Sequence, residues 1–585
     1  MGVTVLDAAR RMGVDLDSVC GGRGICGRCV VTPAVGSFAK WAITVDAEPP
    51  RSSLEDAYSL RKPLNGRLGC QLIVGGDAVY DVPPTSQVHR PVVRKSIDLG
   101  DLVVDPIIRL TYVEVERPEL GDDRSTVERI GDFDVPIHLL NRLVREGGCT
   151  VAAAGRRVVG VWPGYVDAIY GVAIDIGSTT VAGHLCDLHT GEVVASGGRM
   201  NPQIRFGEDL MSRVSYVMMN PGGDVALTSV IRDALNELIA ELAGDVGLDK
   251  VVEVVLVGNP IMHHIVLGID PTPLGTAPFD LAVSTAVTGC ARDIGLHLDA
   301  DLYMAPCIAG HVGADTAAAI LSEGPHRSEQ VQLLVDIGTN AEIVLGNNER
   351  IYAASSPTGP AFEGAQISCG QRATIGAIER VRIDRTTFEP TFSTIGGAEP
   401  TGICGSGIIE VMAELYLCGL LRADGTFNNE VGTDRLVEDG RTLAYVLHDE
   451  LRITQNDVRA IQLAKGALRA GIELLRDRSG MSPETIRLAG AFGSHIDPRY
   501  AQVIGLIPEC NDVRSAGNAA GSGAVRALLS ASQRAEMEAV VQRVIKIETA
   551  IEPDFQRHFV TAMGFGDTTK DQAPRRRRRN REATS

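Results

Sequence analysis

The stretch Gly171-Val-Ala-Ile-Asp-Ile-Gly-Ser-Thr-Thr180 has a near copy downstream in Leu333-Leu-Val-Asp-Ile-Gly-Thr-Asn-Ala-Glu-Ile-Val344. Each is an apolar run that reads as a buried strand and ends in Asp, Gly and small polar side chains. Two D-I-G-[ST]-[TN] turns, about 160 residues apart, predict an internal duplication with two related halves facing one cleft. The glycine turns at Gly177 and Gly338 offer backbone N–H groups to a polyphosphate. Ser178, Thr179, Thr180, Thr339 and Asn340 add donors, and Asp175 and Asp336 can hold Mg²⁺ through waters. No G-x4-G-K-[ST] run is present, so this is not a Walker loop. Further on, Leu488-Ala-Gly-Ala-Phe-Gly493 reads as a strand entering a glycine turn, where Gly490 and Gly493 can lie against an adenine. The three stretches together predict a nucleotide site. Asp336 and Glu342 are the candidates for orienting an attacking water; alternation puts Glu342 on the same strand face as Asn340.

The second informative stretch is Ser18-Val-Cys-Gly-Gly-Arg-Gly-Ile-Cys-Gly-Arg-Cys-Val30, followed much later by Cys70. The C-x5-C-x2-C spacing of Cys20, Cys26 and Cys29 lets three thiolates converge on one side of a short loop. Gly21, Gly22, Gly24 and Gly27 permit the turns and bare N–H groups that wrap an inorganic cluster. With Cys70 as a distant fourth ligand, the pattern fits a [2Fe–2S] centre of ferredoxin type. The first gap is one residue longer than in the plant-type spacing and nearer the adrenodoxin-like one. A [4Fe–4S] cluster is disfavoured because the C-x2-C-x2-C run is missing. Structural zinc and a chance grouping of free thiols are the weaker alternatives, since zinc ligands usually come as two close C-x2-C pairs.

The 585 residues suffice for several domains, and 44 % apolar residues with 64 glycines describe a glycine-rich α/β protein. A formal charge of −18 speaks against a nucleic-acid footprint over the body of the chain. No apolar run of about 20 residues occurs and no signal core opens the chain, so a soluble cytoplasmic protein without membrane attachment is expected. In a reducing compartment the eight remaining cysteines (Cys149, Cys186, Cys290, Cys307, Cys369, Cys404, Cys418 and Cys510) read as buried free thiols.

In chain order, residues 1–85 form the cluster domain, with a short amphipathic helix over Val5–Met12 and a strand over Cys29–Thr32. The β-grasp fold of such ferredoxins places a hairpin before that helix, whereas only Met1–Thr4 precede it here. An upstream start is the favoured explanation, lost edge strands the other. Residues 86–106, within a Pro, Arg and Val-rich stretch, read as an extended linker on which an electron donor can swing. Residues 107–166 make a small α+β domain, with helices near Ser125–Ile130 and Ile137–Glu146 and strands near Val151 and Arg157–Val161; docking or dimerisation is its default role. Residues 168–550 hold the duplicated nucleotide-binding domain. Residues 551–585 form a C-terminal segment whose Arg575–Arg579 and Arg581 read as a disordered, solvated tail, with no aromatic residues to stack bases.

The paired phosphate turns and the L-A-G-A-F-G turn resemble the acetate and sugar kinase, heat-shock chaperone and actin (ASKHA) superfamily. More narrowly, a ferredoxin loop joined to such an ATPase resembles the ATP-dependent reductive activators of corrinoid proteins. The resemblance includes Asn201-Pro-Gln203, Gly207-Glu-Asp209, Ser212-Arg213, Gly258-Asn-Pro-Ile-Met-His-His264, Leu274-Gly-Thr-Ala-Pro-Phe279 and Gly313-Ala-Asp315. It continues through Gly359-Pro-Ala-Phe-Glu-Gly364, Gly402-Ile-Cys-Gly-Ser-Gly407, Ala464-Lys-Gly466 and Gly517-Asn-Ala-Ala-Gly-Ser-Gly523. It implies a multidomain α/β protein with a β-grasp ferredoxin-like domain, a small middle domain and a duplicated actin-like ATPase, usually as a homodimer. It also implies ATP with Mg²⁺, an upstream electron donor, and passage of one electron from a [2Fe–2S] cluster to Co(II) in a corrinoid partner, regenerating Co(I) for methyl transfer.

Two other readings stay open on the residues alone: an ATP-driven donor to a different low-potential metalloenzyme, and a non-enzymatic ATP-binding redox sensor. Single residues divide similarly. His263 and His264 are adjacent on one element, point in different directions and read as structural rather than metal-binding. His311, beside Val-Gly-Ala-Asp315, is a candidate to face the cleft or the corrinoid partner. Cys404, set among glycines, reads as a small residue in a nucleotide-contacting turn rather than a redox thiol.

Overall fold

The computed structural model describes residues 3–12, 14, 16, 22–24, 27, 29–38, 43–45, 47–60, 64–83, 86, 99–100, 102–207, 209–364, 366–490 and 496–566. It divides into two compact units, one within Met1–His326 together with Asn518–Lys546, the other within Arg327–Gly517 and Ile547–Ser585.

At the N-terminus the strand Val30–Ala34 pairs antiparallel with Arg67–Leu68 on one side and Val79–Asp81 on the other. The helix Val5–Arg11 lays Val5, Leu6 and Ala9 against Val31, Leu68 and Leu72, which is the period-3.6 burial its sequence predicted. The residues ahead of that helix are paired. Val74 N donates to Val3 O at 2.8 Å, and Val5 N to Leu72 O at 2.8 Å. A second helix, Ser53–Ser59, starts at a Ser52/Glu55 capping box. Glu55 is buried with Arg67, which donates Nε to Oε1 at 3.0 Å and Nη2 to Oε2 at 2.9 Å. That fork fixes the strand Arg67–Leu68, just ahead of Cys70, to the helix beside it.

Next, Ile108–Val115, Gly147–Ala154 and Arg157–Pro163 form a three-stranded antiparallel sheet with the helix Thr126–Ile130. The first of these strands was not anticipated. The helix expected over 137–146 is instead a 3-10 helix, Ile137–Arg142: Pro136 before it supplies no side-chain cap and Leu143 after it is extended. The C-terminal end of the expected linker is likewise docked. Asp105 N donates to Leu529 O at 2.8 Å, Ala531 N to Asp105 O at 2.7 Å, and Arg526 Nη2 to Leu99 O at 2.8 Å. Leu99 and Leu102 pack on the same core, so residues 99–100 and 102–105 are part of the body of the first unit and not free chain.

The main sheet of the first unit runs in the order Val193–Met200, Thr180–Asp187, Tyr170–Ile176, Val251–Gly258, Asp301–Met304, Val287–Cys290. Tyr170–Ile176 is antiparallel to Thr180–Asp187 and parallel to Val251–Gly258. All eight residues of Val251–Gly258 are buried, as expected for a strand covered on both faces. The helix Gly223–Ala243 covers one face through Leu227, Ile231, Leu235, Leu238 and Leu242. Ala314–Glu323 and Ala519–Leu529 cover the other. These two helices approach so closely that a Cβ on Gly523 would lie 1.9 Å from Ala318 O. The Gly517–Gly523 motif thus has a packing role here.

The second unit repeats the plan. Its strands Ile351–Ser356, Ala341–Gly346, Gln332–Ile337, Thr485–Ala489 and Asp512–Gly517 lie in that order. Gln332–Ile337 is antiparallel to Ala341–Gly346 and parallel to Thr485–Ala489. Strand order and sense match the first unit, so the duplication predicted from the two D-I-G turns is present in the folded chain. The C-terminal segment is also folded through residue 566: the helix Phe555–Ala562 lies beside Gln455–Ser479. There the buried Lys465 donates Nζ to Ala562 O at 2.5 Å and to Gly564 O at 2.6 Å. The arginine run expected to be a solvated tail lies outside the described residues. Among the described residues no helix is long and apolar enough to cross a membrane.

Candidate functional site

In the first unit Asp175 sits opposite Ala182 on one neighbouring strand and Val257 on the other. Asp175 is half-buried in a strand whose other members from Gly171 to Ile176 are buried. The turn that follows is held by its carbonyls. Asn201 Nδ2 donates to Gly177 O at 2.9 Å, Asn201 N to Thr179 O at 2.9 Å, and Arg213 Nη2 to Ser178 O. In a trans peptide the N–H points away from the preceding carbonyl, so clamping Gly177 O and Ser178 O directs the N–H groups of Ser178 and Thr179 to the opposite face. A Cβ on Gly177 would meet Thr180 O at 2.6 Å, which fixes glycine at that corner. Arg213 is fully buried, and its remaining donors reach Gly207 O at 3.0 Å and Gln203 Oε1 at 3.2 Å. Asn201, Gln203, Gly207 and Arg213, from the quoted motifs, therefore form the scaffold behind the turn, a role that sequence reading did not assign.

In the second unit Asp336 faces Glu342 directly across the antiparallel pair and Ala489 across the parallel one. The two carboxylates singled out as candidate catalytic residues are thus cross-strand neighbours. Ser355 Oγ donates to Glu342 Oε1 at 3.4 Å. The turn carbonyls are again held from behind: Thr358 Oγ1 donates to Gly338 O and Thr339 O, each at 3.0 Å. Thr339 Oγ1 donates to Glu363 Oε1 at 2.6 Å. Gly490 packs on Asp336; a Cβ there would lie 2.5 Å from Asp336 Oδ1, and its φ of +91° is itself a glycine conformation. Thr358 and Glu363 were missed as site residues, although both fall at or beside the quoted Gly359–Gly364 motif. Asn340 is half-buried beside Thr339, and Gly493 lies outside the described residues.

Back in the first unit, Asp315 at the start of helix Ala314–Glu323 accepts Thr316 N at 2.7 Å. Loss of water pushes its carboxyl up to about 6. A Cβ on Gly313 would lie 2.7 Å from Asp315 Oδ1 and 2.6 Å from Asn259 Cα, so this acid is set tightly against the Gly258-Asn259 turn. His311 lies against Phe279 with ring centroids 4.1 Å apart and the rings tilted by 48°. His264 Nδ1 lies 2.9 Å from Pro260 O, and Ala282 N donates to its Nε2 at 3.0 Å. That pairing fits a neutral ring with the proton on Nδ1. His263 is buried and its pKa is pushed down to about 3 by loss of water. Both histidines are buried on the helix Pro260–Leu267. Cys404 is buried, its thiol 3.3 Å from Ile378 O, and it stands at the N-cap position of the helix Gly405–Leu417 without a side-chain cap bond. Of the other seven cysteines outside the expected ligand set, Cys149, Cys186 and Cys307 are buried and Cys290, Cys369, Cys418 and Cys510 only partly so.

Of the four expected cluster ligands, Cys29 and Cys70 are described and Cys20 and Cys26 lie outside the described residues. Cys29 and Cys70 are buried in one apolar cluster. Gly69 N donates to Cys29 O at 2.7 Å, which places the two cysteine-bearing segments side by side. The glycine loop folds against them: a Cβ on Gly22 would touch Cys70 Cβ at 3.9 Å, and Tyr58 Oη occupies the space, 2.0 Å away, where a Cβ on Gly27 would go. Gly22, Gly24 and Gly27 all have φ between +69° and +91°. Two buried cysteines on adjoining segments, under a loop of positive-φ glycines, fit a thiolate-bound iron–sulfur cluster.

Two duplicated strand orders, each with an aspartate-glycine turn at the same place, define an ASKHA-type ATPase. A family model described as the C-terminal domain of RACo, the ASKHA domain, matches residues 330–577, and one described as the RACo middle region matches 170–328. The two models meet where the compact units divide, at His326 and Arg327. The chain belongs to the family of corrinoid activation enzymes: it is 32 % identical to "Corrinoid activation enzyme RamQ" of Eubacterium limosum over 96 % of both chains. It is also 27 % identical, over 58 % of this chain and 66 % of the other, to "[Co(II) methylated amine-specific corrinoid protein] reductase" of Methanosarcina barkeri. Among solved structures it resembles "Reductive activator for corrinoid,iron-sulfur protein", with a TM-score of 0.74 and 28 % identity over 98 % of this chain and 97 % of that one.

Proposed function

We propose that this protein uses ATP to drive one electron from a [2Fe–2S] cluster, held by Cys20, Cys26, Cys29 and Cys70, to Co(II) in a corrinoid protein, returning it to the Co(I) state that accepts a methyl group. The observation that carries this reading is the pairing, in one chain of this family, of two buried cysteines on adjoining segments under a glycine loop with two aspartate-glycine turns. When bound, the cluster supplies a one-electron carrier of low potential, near −400 mV for the plant type. Each ~100 mV by which cobalt lies lower costs about 2.3 kcal/mol per electron, so the step needs an external source of free energy.

The chain's own residues supply the coupling. Gly177–Thr180 and Gly338–Asn340 offer N–H and hydroxyl donors to phosphate oxygens, Asp175 and Asp336 hold Mg²⁺ through waters, and Gly490 and Gly493 border the base. Asp336 or Glu342 orients the attacking water. Nucleotide binding then acts by biasing the conformation that grips the corrinoid partner, not by phosphorylating it. An upstream reductant refills the cluster, and the protein acts as a cytoplasmic homodimer in this reading. The test is anaerobic reconstitution with iron and sulfide. Visible absorbance that bleaches on reduction, and is lost in Cys26→Ser, is expected; a colourless product contradicts the proposal.

A further inference from the structure

We infer that Gln71 is a positioning residue for the cluster proposed above, with one amide N–H directed at the Cys70 sulfur and the other at the ligand loop. Gln71 Nε2 lies 3.6 Å from Cys70 Sγ and 3.3 Å from Gly22 O. A carboxamide has two N–H donors, so both partners are served by one group. The side chain is pinned at both ends. Its backbone N donates to Leu68 O at 2.8 Å, and a Cβ on Gly24 would lie 3.1 Å from Nε2, so the amide has little room to turn away.

The chemistry of a donor at that sulfur has a definite sign. A thiolate ligand carries more negative charge when the cluster is reduced, so an N–H donor stabilises the reduced form and raises the potential. Gln71 therefore sets how readily the centre is filled by its reductant, against how much driving force is left for a reluctant acceptor. The same amide ties the loop carbonyl at Gly22 to the strand end at Cys70, and so couples loop geometry to potential.

The inference rests on the [2Fe–2S] reading, and the experiment separates the two. Wild-type protein, reconstituted anaerobically and labelled with ¹⁵N in glutamine side chains, is reduced and examined by pulsed EPR; its midpoint potential is measured alongside Gln71→Leu and Gln71→Glu. A ¹⁵N coupling present in wild type and absent in the variants is expected. The midpoint should shift downward by an amount equal to about three- to tenfold in the reduced-to-oxidised ratio, tenfold being 59 mV for one electron. The shift should be larger for Glu, which adds charge, than for Leu. A normal wild-type cluster without ¹⁵N coupling, or variants with the wild-type midpoint, overturns the role of Gln71 alone. Should a variant fail to hold the cluster, the wild-type coupling decides. A wild-type protein that takes up no cluster overturns the proposed function and this inference with it.

Discussion

At the scale of single residues, the glycines of the two sites separate by what stands where their Cβ would be. Gly27 combines a φ of +69° with Tyr58 Oη at 2.0 Å, whereas Gly75 has nothing within 4 Å and no positive φ. Gly27→Ala should abolish cluster uptake, and Gly75→Ala should leave the visible spectrum of the reconstituted protein unchanged. His184 makes a second residue-scale prediction. It is buried, its Nδ1 2.8 Å from Ser196 Oγ, and loss of water pushes its pKa down to about 4 from the usual 6.5. A base with a depressed folded pKa binds fewer protons folded than unfolded between those two values. Stability from this group is therefore intact above pH 6.5 and falls as pH drops to 4, by about 3 kcal/mol. Urea midpoints across that range should fall less steeply in His184→Gln than in wild type. The two strand-and-turn units were legible because an apolar run ending in Asp, Gly and small polar residues shows itself in a few adjacent positions. Thr358 and Glu363 were not, because their role is to bind the turn at Gly338 and Thr339 from another loop, a contact that no local pattern encodes.

At the scale of elements, the clamp behind the first turn matters as much as the turn. Arg213, on the helix Leu210–Met219, serves Ser178 O, Gly207 O and Gln203 Oε1 from a fully buried position. Arg213→Met keeps apolar bulk but leaves those acceptors unpaired, so a loss on the order of 3 kcal/mol is expected. ATP should also raise the melting temperature of the variant less than that of wild type; an equal ATP-induced shift would show that the clamp does not support nucleotide binding. The C-terminal helix makes the matching case in the second unit. Lys465→Met removes both bonds to Ala562 O and Gly564 O, and faster amide exchange over Phe555–Ala562 is expected. Sequence periodicity marked the helices Val5–Arg11 and Thr126–Ile130 well. It failed at Ile137–Arg142, where apolar spacing looked helical but Pro136 cannot cap. It also failed at the end of the expected linker, where a Pro-rich composition suggested free chain and long-range bonds from Asp105 to Leu529 and Ala531 hold it down.

At the scale of the molecule, the two units share one strand order, each with an aspartate at the same place in its central strand. That repeat was readable from one short stretch in each half, 171–180 and 333–344. The return of Asn518–Lys546 to the first unit was not, because helix Ala519–Leu529 is chosen by its fit of Gly523 on Ala318 and not by any local signal. A modular machine should fail in parts. Cys26→Ser should lose electron transfer and keep ATP binding, and Asp175→Ala should lose ATP response and keep the cluster spectrum; loss of both properties in either variant would contradict modularity. The most direct measurement is made anaerobically, mixing the reduced protein with a Co(II) corrinoid protein and following both chromophores with and without MgATP. The account predicts that Co(I) absorbance grows as the reduced cluster is reoxidised, and only when ATP is present. Co(I) forming equally without ATP, or failing to form with it, would contradict the account.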